Sequence, residues 1–141
     1  MSIEKSKKTI VVDLDNTLAD YTGGWEANKH FPGKPRKDVV DGLIALKQAG
    51  FIIGILTTRP VEIVKEWLFK YQLLDYQLLD LVDFVNDNPD QPKDAGKHKP
   101  IAFAYIDDRA IRYSGNNMSE IVSGILSGKY EPWKKEKKEI S

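Results

Sequence analysis

Two aspartates one residue apart, Asp13 and Asp15, close the apolar run Ile10-Val11-Val12 and are followed by Asn16-Thr17. A short β-branched run that ends in turn-forming residues reads as a buried strand of a parallel sheet. Strand side chains alternate, so the two carboxylates are expected on the same side, where the strand runs out. Open α/β sheets place their ligands at that end. Carboxylates converging in a crevice suit a nucleophile beside a proton donor, with a cation to offset their repulsion. A strand that merely meets an acidic turn would look the same locally. Two more apolar runs, however, end in polar residues: Phe51–Leu56 in Thr57-Thr58, and Ile101–Ile106 in Asp107-Asp108. Lys93, Lys97 and Lys99 stand just upstream of the last.

In this order, each set placed after an apolar strand, these residues resemble the haloacid dehalogenase superfamily of phosphohydrolases. The resemblance spans roughly Thr9 to Tyr113. That family's DxDxT motif is met by Asp13-Leu14-Asp15-Asn16-Thr17. Its strand ending in Thr or Ser is met by Ile53-Gly54-Ile55-Leu56-Thr57, and its acidic pair by Tyr105-Ile106-Asp107-Asp108. Its lysine is assigned to Lys99, because Lys99-Pro100-Ile101-Ala102 leads directly into the Asp107 strand; Lys97 is the alternative. Arg59 and Arg109, after the second and fourth motifs, are also common in smaller members. Members that dehalogenate or pump ions lack an aspartate at the Asp15 position, so the resemblance implies phosphatase or phosphotransferase chemistry.

The chemistry accounts for each residue type. Hydrolysis of an anionic phosphate monoester needs a nucleophile, charge neutralisation and protonation of the leaving oxygen. Asp13 is expected to attack phosphorus and form an aspartyl-phosphate. Mg²⁺ is the expected cofactor, held by Asp13, the Asp15 main-chain carbonyl and a carboxylate of Asp107 or Asp108. Asp107 is expected to ligate directly and Asp108 to act through water or to hold neighbouring backbone, although the reverse order fits as well. Asp15 is expected to protonate the leaving alkoxide and then deprotonate water. Thr57 would donate its hydroxyl to a phosphoryl oxygen, and Lys99 would balance charge. The alternative is a non-catalytic phosphate-binding or regulatory module that retains the fold.

Positioning these groups falls to alternating strands and helices. Strands are expected at 9–14, 51–56, 81–85 and 101–106. Helical spacing of Val39, Val40, Leu43 and Ile44 ends at Gly50, and Val61, Val64, Trp67, Leu68 and Tyr71 follow Pro60 in a second helix. A last short helix is expected at 119–126, and the stretches 19–35 and 86–99 read as loops, the first with a small hairpin as an option. Alternation with parallel crossovers predicts an α/β fold, a Rossmann-like doubly wound parallel sheet in three α/β/α layers. The perfect tandem repeat Tyr71-Gln72-Leu73-Leu74-Asp75 and Tyr76-Gln77-Leu78-Leu79-Asp80 has a period that fits neither helix nor strand. It reads as a local duplication lengthening a connection.

Neither the interval from Thr17 to Thr57 nor that from Thr57 to Lys99 has room for a cap domain once these elements are placed. The site is therefore expected to be open, and the family resemblance implies a small flap beside it, here at Thr22–Trp25. An open site suits a phosphate on something large, or a partner chain acting as lid. Nucleotide, polynucleotide 3′-phosphate, phosphoprotein and sugar phosphate all fit. Trp25 is a candidate to stack on substrate, Trp67 reads as core, and His30 and His98 are isolated, whereas a metal site needs clustered ligands.

The composition fits that frame. The chain of 141 residues reads as one domain, 1–129, with a charged and flexible tail at 130–141. Lys+Arg and Asp+Glu each number 21, so no global charge draws it to a membrane or to nucleic acid other than as substrate. It has no cysteine, which excludes thiolate chemistry and a disulfide framework. The N-terminal stretch lacks a long apolar signal core, so a cytoplasmic location is expected.

Overall fold

A computed structural model describes residues 8–74, 76–96 and 98–130. Four parallel strands are β1 (Thr9–Asp13), β2 (Ile52–Leu56), β3 (Phe84–Val85) and β4 (Ala104–Ile106), in the order β3-β2-β1-β4. The helices are α1 (Gly24–Asn28), α2 (Lys37–Gln48), α3 (Val61–Leu73), α4 (Leu78–Leu81) and α5 (Met118–Leu126). The expected α/β parallel-sheet class is what the chain adopts. No helix among the described residues is long and apolar enough to cross a membrane.

Alternation along the strands builds the core. Ile10 pairs with Ile53 and Val12 with Ile55, so these four side chains share one face of the sheet. Against them pack Val40 and Leu43 of α2, Val64, Trp67, Leu68 and Tyr71 of α3, and Leu78 and Leu81 of α4. Burying one such aliphatic side chain stabilises the fold by about 1.5–3 kcal/mol. On the opposite face Gly54 lies under the Phe84 ring: a Cβ there would sit 2.1 Å from the ring's Cζ. Only glycine lets β2 and β3 approach in this way. Tyr105, the register partner of Val11 on that face, stays exposed, and so do Met118, Val122, Ile125 and Leu126 of α5.

Three elements differ from the sequence reading. The strand expected at 81–85 is only two residues long, because Leu78–Leu81 forms a helical turn whose Leu78 and Leu81 are drawn into the core. The strand expected at 101–106 starts at Ala104. Upstream of it the Ile101 amide donates to Gln91 Oε1 (3.0 Å) rather than to a strand, and the ladder begins only where the Phe103 amide reaches the Thr9 carbonyl (2.8 Å). Within the stretch read as loop, α1 forms, and the Asp20 amide bonds the Lys34 carbonyl (2.7 Å) while the Arg36 amide bonds that of Leu18 (2.8 Å). These bonds make the hairpin-like base of the flap. Gly33 is required in it, since a Cβ would fall 2.1 Å from the Asp20 carbonyl oxygen.

Of the tail read at 130–141, Tyr130 covers Gly124 with its ring. The rest lies outside the described residues.

Candidate active site

The parallel register decides which polar residues meet. Val12 pairs with Ile106, so Asp13 and Asp107 stand one step beyond that pair on adjacent strands. Asp13 itself pairs with Leu56, which places Thr57 just past the end of β2. One carboxylate oxygen from each of Asp13, Asp107 and Asp108 lies within 4.8 Å of the others. Burial pushes the Asp13 carboxyl up to about 7, aided by a hydrogen bond to Asp108 and the negative charges of Asp107 and Asp108. A hydrogen bond from the Leu14 amide pulls the other way. Three hard oxygen donors under mutual repulsion are a donor set that fits a divalent cation such as Mg²⁺.

The turn after β1 holds this cluster. Leu14 is fully buried, and its carbonyl accepts from the amides of Thr17 (3.3 Å) and Ala19 (2.8 Å). Asn16 takes a left-handed backbone, φ 62°, tolerated by Asn better than by most residues. Its Nδ2 donates to Asp108 Oδ2 (2.9 Å), and Thr17 Oγ1 lies 3.5 Å from Asp108 Oδ1. The Arg109 amide donates to Asp107 Oδ1 (2.7 Å). At the end of β2, the Thr57 amide donates to Asn86 Oδ1 (2.8 Å), and the Thr57 hydroxyl oxygen accepts from the Arg59 amide (3.2 Å). The hydroxyl proton of Thr57 is thereby turned away from that bond and can be given to another acceptor.

Asp15 stands apart from the cluster of three. Arg59 grips both of its oxygens, Nε to Oδ2 at 2.7 Å and Nη2 to Oδ1 at 2.8 Å. The guanidinium is 5% exposed as a residue and also donates to the Asn28 carbonyl (2.6 Å) at the end of α1. The ring of Trp25 lies 5.5 Å from the guanidinium carbon. Trp25 is half exposed, 54%, so one side of the indole meets Arg59 while much of it faces solvent. Arg59 thus joins the flap to Asp15. Asn28 stiffens the flap through bonds from Nδ2 to the carbonyls of Thr22 (3.1 Å) and Gly24 (2.7 Å).

The lysines are distributed differently. Lys99 is exposed, with its ammonium 4.8 Å from the centre of the Tyr105 ring and not among the bonds that hold the cluster. Lys93 is exposed, and Lys97 lies outside the described residues. His30 and His98 are exposed and belong to no metal-competent group among the described residues. Between Thr17 and Thr57 the chain forms only the flap, α2 and β2; between Thr57 and Lys99 it forms α3, α4, β3 and a loop. No cap-sized insert stands over Asp13 among the described residues.

Four residues the sequence reading passed over hold the site: Asn16, Asn28, Arg36 and Asn86. Asn16 and Asn86 share one signal, an Asn in the turn directly after an apolar strand, and Asn86 too has a left-handed backbone, φ 61°. Asn28 bonds carbonyls only four and six residues back, inside a stretch whose period reads as loop, and Arg36 carries no local signal because its partner Asn16 lies 20 residues away.

No family model and no curated protein matches the chain. A conserved protein of Bacteroides thetaiotaomicron has a solved structure with a TM-score of 0.54 and 20% identity, over 86% of this chain and 90% of that one. At that identity the likeness concerns the fold alone.

Proposed function

We propose that this chain is a Mg²⁺-dependent phosphatase of the haloacid dehalogenase type, which hydrolyses a phosphate monoester through an aspartyl-phosphate. The observation that carries the reading is the convergence of Asp13, Asp107 and Asp108 beyond adjacent parallel strands, with Thr57 at the end of the next. Asp13, Asp107 and Asp108 would hold the cation. Bound there, Mg²⁺ supplies the positive charge that lets an anionic nucleophile meet an anionic phosphate.

The protein's own groups then do the following. A carboxylate oxygen of Asp13 attacks phosphorus, and the bond from phosphorus to the leaving oxygen breaks. Asp15 gives its proton to that oxygen, then takes one from the water that attacks the acyl-phosphate, which frees inorganic phosphate and Asp13. Thr57 donates its hydroxyl to a phosphoryl oxygen, and Lys99, or Lys97 in its place, balances charge. For Asp15 to act as acid, its carboxyl must leave the Arg59 fork and turn toward the leaving group. That fork is also the observation that favours the second reading, a phosphate-binding module on the same fold, since an Asp15 permanently paired with Arg59 donates no proton.

Turnover of an aryl phosphate with and without Mg²⁺ tests the proposal. Activity should require the cation, vanish in Asp13→Asn, and fall by about 10²–10⁴-fold in Asp15→Asn. Mass spectrometry of Asp15→Asn after exposure to substrate should find phosphate on Asp13. Full activity in excess chelator overturns the mechanism, and phosphate binding without turnover in the wild type supports the module. The lack of a cap-sized insert among the described residues and the exposed Trp25 favour larger or base-containing phosphates over free sugar phosphates, with Trp25→Ala weakening the former.

A further inference from the structure

The geometry points to Arg36 and Asn16 as a pair of positioning residues that aim Asp108 at the cation. The inference rests on the metal-site reading above and adds to it a device in the flap base.

Asn16 has one amide oxygen and one amide nitrogen, and the two face different partners. Arg36 approaches from the α2 side with both ends of its fork: Nη1 donates to the Asn16 main-chain carbonyl (3.1 Å) and Nη2 to Asn16 Oδ1 (2.7 Å). Nη2 also lies 3.9 Å from Asp20 Oδ1. A guanidinium only donates, so the atom it meets must be the oxygen. The amide orientation follows without further assumption: Nδ2 faces Asp108 and donates to Oδ2 at 2.9 Å. The left-handed backbone of Asn16 presents carbonyl and side chain to a single fork. With Thr17 near its other oxygen, Asp108 cannot rotate freely against Asp13. Outer partners of this kind commonly change metal affinity by about 10–100-fold.

Charge and positioning predict opposite signs at Arg36, which makes the idea testable. Removing a cation near a cluster of acids should tighten binding of a divalent cation if only the field mattered. Removing the group that orients Asn16, and so Asp108, should weaken it.

The experiment is a titration of the full, metal-free chain with Mn²⁺, read by electron paramagnetic resonance with no substrate present. Asn16→Gly keeps the left-handed backbone without strain and deletes the amide. Arg36→Lys keeps the charge but loses the fork, and Arg36→Met loses both. Lys37→Ala removes an exposed charge from the next residue as a control. The expected result is a tight Mn²⁺ site in the wild type and the control, weakened about 10–100-fold in Asn16→Gly and Arg36→Met, and to a lesser degree in Arg36→Lys. Thermal melts of the metal-free variants separate this from loss of fold: the affinity of Asn16→Gly should drop even where its melting temperature matches the wild type. Wild-type affinity in Asn16→Gly, or tighter binding in Arg36→Met, overturns the positioning role and leaves the metal-site reading standing. A wild type that binds no Mn²⁺ overturns both.

Discussion

Burial holds the Asp13 carboxyl up to about 7, whereas the nucleophile proposed above must be free of its proton. The cause is burial, then the hydrogen bond and charges from Asp108 and Asp107, so a cation among the three acids would reverse the balance. An acid whose folded pKa exceeds its ordinary 3.8 binds more protons folded than unfolded between the two values. The Asp13 contribution to the stability of the metal-free protein should therefore be greatest at the acid end of that window, fall as pH rises from about 4 to about 7, and change no further above it. Melting temperatures in chelator should show that decline, and Asp13→Asn should flatten it. Mg²⁺ should raise the melting temperature more at about pH 8 than at about pH 5, since protons compete for the same oxygens. At the same scale, Lys99→Ala should lower kcat by about 10²-fold, with Lys93→Ala near wild type. A loss confined to Lys97→Ala would transfer the role to Lys97.

The tandem repeat shows what an element is made of. Its first copy supplies the last turn of α3, with Tyr71 buried and Leu73 and Leu74 exposed. The second copy opens α4, with Leu78 wholly buried, although Leu78 corresponds to exposed Leu73 in the repeat. Identical local preference was overridden by where each copy meets the core. The junction uses two glutamines. Gln72 Oε1 accepts the Leu79 amide (2.8 Å) and so caps α4, while Gln77 sits in a left-handed conformation, φ 57°. Gln72→Ala should cost about 1 kcal/mol and Gln77→Gly should stabilise by about 1 kcal/mol, both read as shifts of denaturation midpoint. Long elements were legible because periodicity persists: α2, α3, β1 and β2 fall where apolar spacing places them. The ends of β3 and β4 were not, since Gln91 captures the Ile101 amide and core burial bends Leu78–Leu81 into a turn. The same distinction holds in the site. Acids at strand ends can be read from strand pattern, whereas the pairing of Arg59 with Asp15, 44 residues apart, exists only after folding.

Across the whole molecule, the sheet is covered unevenly. One face carries α2, α3 and α4, while Tyr105 on the other is exposed and α5 leaves four large apolar side chains in solvent. With formal net charge +0, little long-range repulsion keeps such surfaces apart, so solubility should be lowest near the sequence pI of 6.7 and improve with Val122→Glu or Ile125→Lys, as light scattering would show. The strand order has a further consequence. β4 is an edge strand held to β1 over Ala104–Ile106, and among the described residues no strand pairs with its other side. It nonetheless leads into two of the three clustered acids, Asp107 and Asp108. A short edge strand can peel off without global unfolding, and every such opening would scatter the carboxylates clustered with Asp13. A cation that binds only the closed form must then lower the opening frequency of this strand in proportion to its occupancy. Amide hydrogen exchange should therefore slow with Mg²⁺ across Ala104–Asp108 well beyond any change in β2, which is already flanked on both sides. In that picture the ion is as much the clasp of a loose strand as a participant in chemistry.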